Sequence, residues 1–326
     1  MLVTKLISII IITIIIGPFV TYTISPVTYT GTLNTRNRAP AVIYNGVLYT
    51  FGGYTNAVSN DMQTFNIATN TWSSVTYSGT FTARLVHSAT LYNNVIYAIG
   101  GSVNGAVSSD VLMYSIATNA WTTITYSGTF TARWAHSATL YNDAIYVIGG
   151  YSTNTNDHLN DVVKFTIATN TWTTVSTGLS KRDCHTATLY NGAIYVIAGG
   201  GFSGGTYIRL NDVFKFTIAT SSWTTISCSG VTFPARRAHS ANLYNDIIYV
   251  FGGDNNAGSA MNDIYMFTIA TNTWAAVSYT GAYVGRWFFL SCIYNNDIYI
   301  LTGTTSGDTV NTNEVAKFSI VSTGNT

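Results

Sequence analysis

Four of the five histidines recur in one context: His87, His136, His185 and His239 each lie three residues after an arginine. Imidazoles gathered at one point could hold a metal ion. Ala39 and Phe289 stand at the matching places in two further copies of the pattern. Equivalent positions in successive copies also spread around an axis instead of converging, so no metal ligand set is assigned. Asp157, His158, Asp183, Cys184, Asp254 and Asp308 are the groups outside any recurring pattern that could do acid–base or nucleophilic work. Two carboxyls at a fixed separation could hydrolyse a glycosidic bond, and a Cys–His pair could supply nucleophile and base. Asp157–His158 and Cys184–His185 are sequence neighbours, and neighbours on an extended chain point to opposite sides. No catalytic residue and no cofactor is assigned.

The remaining charges are more regular. An arginine opens each copy: Arg36, Arg84, Arg133, Arg182, Arg236 and Arg286. An acid follows later in each: Asp61, Asp110, Asp161, Asp212, Asp263 and Glu314. Buried charge persists only when paired, so these twelve are expected to be structural pairs. With 8% charged residues and a net charge of +1, there is no basic face for nucleic acid. With 14% aromatics and 47% hydrophobic residues, the chain is not disordered either.

The elements that carry these residues repeat about every 50 positions. A Gly-Gly pair closes a β-rich run at 52–53, 100–101, 149–150, 199–200 and 252–253, with Thr302-Gly303 sixth, and tryptophans recur at 72, 121, 172, 223 and 274. Each copy reads as four short strands, a to d: two runs of β-formers around an Asn-containing turn, a loop, then two more around Ala-Thr-Asn. The sequence resembles the kelch repeat in the glycine pair after strand b, the aromatic of YNNVIY and its equivalents, and the Trp about 20 residues later. The resemblance implies an all-β, six-bladed kelch propeller with four antiparallel strands per blade. The family includes copper-bearing galactose oxidase and sugar epimerases, but no copper-ligand set carries over. The glycine pairs are expected to hold strained backbone or close inter-blade approaches, and the tryptophans to pack between blades.

The repeats run 36–80, 84–129, 133–178, 182–230, 236–281 and 286–326, and the last lacks a strand d. ISPVTYTGT (24–32) aligns with WSSVTYSGT (72–80), so residues 22–32 are expected to complete the sixth blade and close the ring. The propeller domain is then 22–326. Residues 1–21, with Lys5, an apolar run at 6–16 and the breakers Gly17-Pro18, read as a signal peptide or a short hydrophobic anchor. A secreted or extracytoplasmic protein is expected, membrane-bound only if that segment is retained. Cys184, Cys228 and Cys292 form no disulfide framework.

Strand order puts the a–b and c–d turns on one face and the variable b–c and d–a loops on the other. Binding on a rigid frame usually lives in such loops. The candidates for ligand contact are Tyr54, Trp134, Tyr151, Asp157, His158, Asp183, Phe202, Tyr207, Arg209, Arg237, Asp254 and Trp287. The expected role is a monomeric module binding a protein or a glycan, with a secreted carbohydrate-active enzyme, oxidase or epimerase, as the alternative.

Overall fold

The computed structural model describes residues 19–306 and 310–323. The expected leader core and Asp308 lie outside them. Six antiparallel blades of four strands each surround a central channel. In blade 2 the strands run Ser88–Tyr92, Val95–Ile99, Val111–Ser115 and Ala120–Thr123, each hydrogen-bonded to the next. Strand b is buried on both faces, so VIYAI is apolar throughout, whereas strand d buries Trp121 and exposes its two threonines. The a–b turns use Asn-Asn, Asn-Gly or Asn-Asp with the first residue left-handed, as at Asn93, Asn45 and Asn245. These suit the twist of a two-residue hairpin. Six apolar clusters fill the six gaps between neighbouring blades; the last joins Leu48, Phe65 and Trp72 of blade 1 to Leu290, Tyr299 and Val315 of blade 6.

The ring closes as the repeat alignment requires. A strand at Phe19–Pro26 pairs antiparallel with Val315–Thr323, the c strand of blade 6, and lies outermost in that sheet. Ile24 faces Phe318 as Trp72 faces Phe65. The strand begins three residues before Tyr22, so residues 19–21 of the expected leader are part of the propeller frame.

After each outer strand the chain crosses to the next blade. In five crossings it lies parallel to that blade's own outer strand, as at Ser78 beside Ala120 and Ser127 beside Thr171. This covers an edge that would otherwise be open to pairing. A glycine makes the approach possible. At Gly31, Gly79, Gly128, Gly230 and Gly281 a Cβ would sit 1.9–2.2 Å from a carbonyl oxygen of that strand. Gly128→Ala is therefore expected to cost about 3 kcal/mol, combining a clash with left-handed strain. Gly105→Ala, equally left-handed but with open space around it, should cost only about 1 kcal/mol. Thermal melts of the two variants check the difference.

The repeated charges are structural pairs. Each of the six arginines is 0% exposed. Arg36, Arg84, Arg133, Arg182 and Arg236 meet their acids at 2.6–2.9 Å, and Arg286 meets Glu314. Each also donates Nη1 to a carbonyl at the end of strand b, at Gly52, Gly100, Gly149, Ala198, Gly252 and Thr302. That series corrects the fourth glycine pair: the equivalent residues are Ala198-Gly199, not Gly199-Gly200. Ala198 takes the left-handed conformation (φ 56°) that glycine has in four other blades.

A second ring was not foreseen. Arg38, Val86, Ala135, Cys184, Ala238 and Phe288 are all left-handed, with φ between 47° and 57°. Each donates its backbone N–H to the carbonyl of its predecessor, closing a belt of six bonds of 2.8–3.1 Å around the channel. No glycine marks these positions, so residue type gave no signal. The hydrogen bonds offset the roughly 1–2 kcal/mol that left-handed backbone costs each residue.

Candidate functional site

The b–c loops of blades 3 to 5 and the d–a segments leading into those blades bring nine of the twelve candidates together. The framework is an arm from blade 4, whose b and c strands continue past the blade as Ala193–Ser203 and Thr206–Thr217. Residues 201–211, one of the variable b–c loops, form a hairpin around left-handed Gly204 and Gly205. Gly-Gly between β-formers is a two-residue hairpin turn, and that signal was readable in the sequence. The extra glycine at 200 has a separate reason: a Cβ there would lie 1.9 Å from the Tyr207 hydroxyl. Gly200 lets Tyr207 cross the arm.

Tyr207 donates its hydroxyl to Asp183 Oδ1 at 2.6 Å and accepts from Arg237 Nη1 at 2.9 Å. Burial first, then the nearby Cys184 and Asp183, push its hydroxyl pKa up, so it stays protonated. His158 Nε2 lies 3.2 Å from Asp183 Oδ2, and its ring packs against Tyr151, Phe202 and Tyr207 at 5.0–5.5 Å. Tyr151 stacks on Trp134 at 5.8 Å. At the other end Asp254 is held by Arg237 Nε at 3.1 Å and by Arg209. Both guanidinium groups lie over the Tyr207 ring, at 5.3 and 5.7 Å. The chain of contacts is thus Trp134–Tyr151–His158–Asp183–Tyr207–Arg237–Asp254–Arg209. Phe202 stands beside it at 55% exposure.

The other three candidates lie apart. Asp157 turns away from His158 to pair with Lys181. Tyr54 bridges to Asn37 and Val58 on blade 1. Trp287 is 6% exposed and bridges to Thr304 on blade 6.

The network borders the channel mouth, a cavity of about 220 Å³ lined by Arg38, Trp134, Asp183, Cys184, Arg237 and Phe288 among others. The arrangement suits positioning better than acid–base work, because Asp183 and Asp254 are both already bound by neighbouring donors. Burial first, then the Asp183 charge, push the Cys184 thiol well up, which disfavours the thiolate. His185 does not serve it: its Nε2 hydrogen-bonds to Ser137 at 2.9 Å.

The recurring histidines line the channel beneath the mouth. His136 and His239 bond Ser88 and Thr186 as His185 bonds Ser137. Burial, then the adjacent Arg182 charge, lowers His185 from its ordinary 6.5 to about 3. His87, His136 and His239 are lowered as well, burial being the first cause in each. The unfolded chain takes up these protons below about pH 6.5 while the folded rings stay neutral, so stability falls as the pH drops from there towards 3. His185 alone should remove about 2 kcal/mol between pH 7 and pH 5. Melts of the protein and of His185→Phe, the residue type blade 6 has there, should show a shallower pH dependence in the variant.

This architecture is that of a kelch propeller, and the chain belongs to the kelch-repeat family. It matches the KLHDC2/KLHL20/DRC7 Kelch-repeats domain over residues 15–200 and 184–324. It is similar to Kelch domain-containing protein 3 of Rattus norvegicus, 33% identical over 96 residues, 28% of this chain and 25% of that protein. The Homo sapiens protein of that name is 31% identical over 96 residues, with the same shares covered. Ras guanine nucleotide exchange factor F of Dictyostelium discoideum is 27% identical over 112 residues, 34% of this chain and 10% of that protein. The chain therefore matches about a quarter of the length of the kelch-named relatives. Kelch propellers as a class are protein-binding modules.

Proposed function

We propose that the chain binds a protein partner through the b–c and d–a loops of blades 3 to 5. The observation that carries this reading is the exposed Phe202 on a braced arm, beside the half-buried Trp134 and Arg237 at the channel mouth. Aromatic and arginine anchors on a rigid rim are the usual centres of binding energy. Rigid presentation also limits the ordering cost on association.

Affinity capture with three immobilised forms tests it: the unaltered chain, Phe202→Asp/Trp134→Ala, and Val58→Asp on blade 1 of the same face. A partner retained by the first and third should bind the second at least about tenfold more weakly, the loss of one to two anchors. Equal retention by all three contradicts the reading. A glycan array run with the same proteins covers a sugar ligand, and saturable sugar binding lost in the double variant would replace the protein reading.

Export remains part of the proposal, resting on the order of charge, apolar run and breaker in residues 5–18. Any cleavage compatible with ring closure falls before Phe19, where the closing strand starts.

A further inference from the structure

Four of the crossings between blades carry a tyrosine that folds back over the blade just left. Tyr29, Tyr77, Tyr126 and Tyr279 donate their hydroxyls to the carbonyls of Asn313, Asn60, Ser109 and Asn262, at 2.5–3.0 Å. Each acceptor immediately precedes the acid that pairs with the blade's arginine. Tyr126 also meets the next blade's Trp172 edge-on at 6.3 Å.

After blade 4 that ring is missing. Ser229 pairs with Thr273 as Ser127 pairs with Thr171, so Cys228 occupies the place of Tyr126. A cavity of about 230 Å³ opens there, lined by Asn211, Cys228, Gly230, Val231, Phe233 and Trp274 among others. Its parts are those the tyrosine uses elsewhere. Asn211 immediately precedes Asp212, the acid of this blade. Phe233 stacks on Trp274 at 4.0 Å and 3°, giving a flat apolar wall. Trp274 is 2% exposed. The crossing after blade 3 also lacks the tyrosine, but it is shorter, and Gly178 packs directly on Trp223 instead.

We propose that this niche binds a phenol ring supplied in trans, from a tyrosyl side chain or a free phenol, against Trp274 and Phe233, with its hydroxyl towards Asn211. A cavity shaped for a ring and left without one takes up a matching ring. The site uses none of the loop-face network, so it stands or falls independently of the function proposed above.

p-Cresol, the tyrosyl side chain as a free molecule, is the first probe. Iodoacetamide labelling of the full chain, read cysteine by cysteine by peptide mass spectrometry, follows Cys228 at the wall of the niche. A molecule of eight heavy atoms binds on the millimolar scale, so about 10 mM p-cresol should slow Cys228 labelling at least about threefold. Cys184 labelling should not change. 4-Methylanisole, which cannot donate a hydrogen bond, should protect less. The peptide Gly-Tyr-Gly is tested alongside: protection by it assigns the site to a tyrosyl side chain, and protection by p-cresol alone assigns it to a free phenol. Cys228→Tyr should raise the melting temperature and abolish the shift p-cresol produces. Unchanged labelling of Cys228, or equal slowing at Cys184 and Cys228, would overturn the site. Equal protection by 4-methylanisole would overturn the hydroxyl contact. The labelling result on the unaltered chain decides the matter even where Cys228→Tyr fails to fold.

Discussion

A chain that begins at Val27 is expected to lose its cooperative thermal transition. The residues removed, 19–26, hold eight paired positions against the c strand of blade 6. Ile24, 3% exposed, packs in the cluster between blades 5 and 6 with Tyr249, Phe251 and Phe318. Tyr22 stacks on Phe318 at 5.6 Å. Their loss exposes an unpaired strand edge and uncovers one of the six inter-blade cores, and a ring cannot lose one interface without opening. Burial of one large aliphatic side chain is worth about 3 kcal/mol with its cavity term, and the ladder and the tyrosine add to it. Ile24→Asp buries an unpaired charge at the same point and should approach the truncation in severity. Ile24→Ala should lower Tm by about 5–10 °C at 2–4 °C per kcal/mol for a domain of this size. Calorimetry of the three variants is the check. A truncated chain that melts like the full one would mean the ring closes without this strand.

The second large effect is expected at the buried arginines. Arg133 donates to both oxygens of Asp161, at 2.6 and 2.8 Å, to the Gly149 carbonyl at 3.0 Å and to the Thr131 carbonyl at 2.9 Å. Its guanidinium lies 4.9 Å from the Phe130 ring centroid. Arg133→Ala leaves two carbonyls and a largely buried carboxylate without their donor. Breaking a buried pair from one side costs about 3–5 kcal/mol, so Tm should fall by about 10 °C. Much of that penalty belongs to the orphaned acid. Arg133→Met/Asp161→Leu should therefore be less damaging than the sum of its single changes, with a coupling of about 2 kcal/mol in a double-mutant cycle. A cost below about 1 kcal/mol for Arg133→Ala would show that the pair behaves like an exposed one.

The frame was legible in the sequence because every blade solves the same packing problem. Trp72 and its successors, the arginine–acid series and the alignment of Ile24 with Trp72 all follow from burying two faces of a sheet between identical neighbours. Blade 4 shows where that logic fails. Ala198 takes a left-handed backbone usually given to glycine, because the arginine bond and the neighbouring blade hold it there, so the Gly-Gly spelling of this blade lies one residue past the equivalent positions. The belt through Val86 and Phe288 left no trace, since hydrogen bonds outside the residues themselves dictate their backbone. Convergence of the site was invisible for another reason. Asp183 and Tyr207 are 24 residues apart in the chain, and their meeting depends on the arm of blade 4. The absence of periodicity marked those loops as different without saying where they point. The missing tyrosine at Cys228 was visible in the alignment, but its meaning required knowing what the other tyrosines touch.

Differential hydrogen exchange on the propeller, with and without the partner retained in affinity capture, tests the central claim most directly. Slowed exchange is expected in 151–158, 199–210 and 237–254, which carry the Tyr151–His158, Phe202–Arg209 and Arg237–Asp254 portions of the network, with no change at the a–b turns on the opposite face. Protection confined to those turns, for example around Asn45 and Asn93, would contradict it and move the binding surface to the other side of the ring.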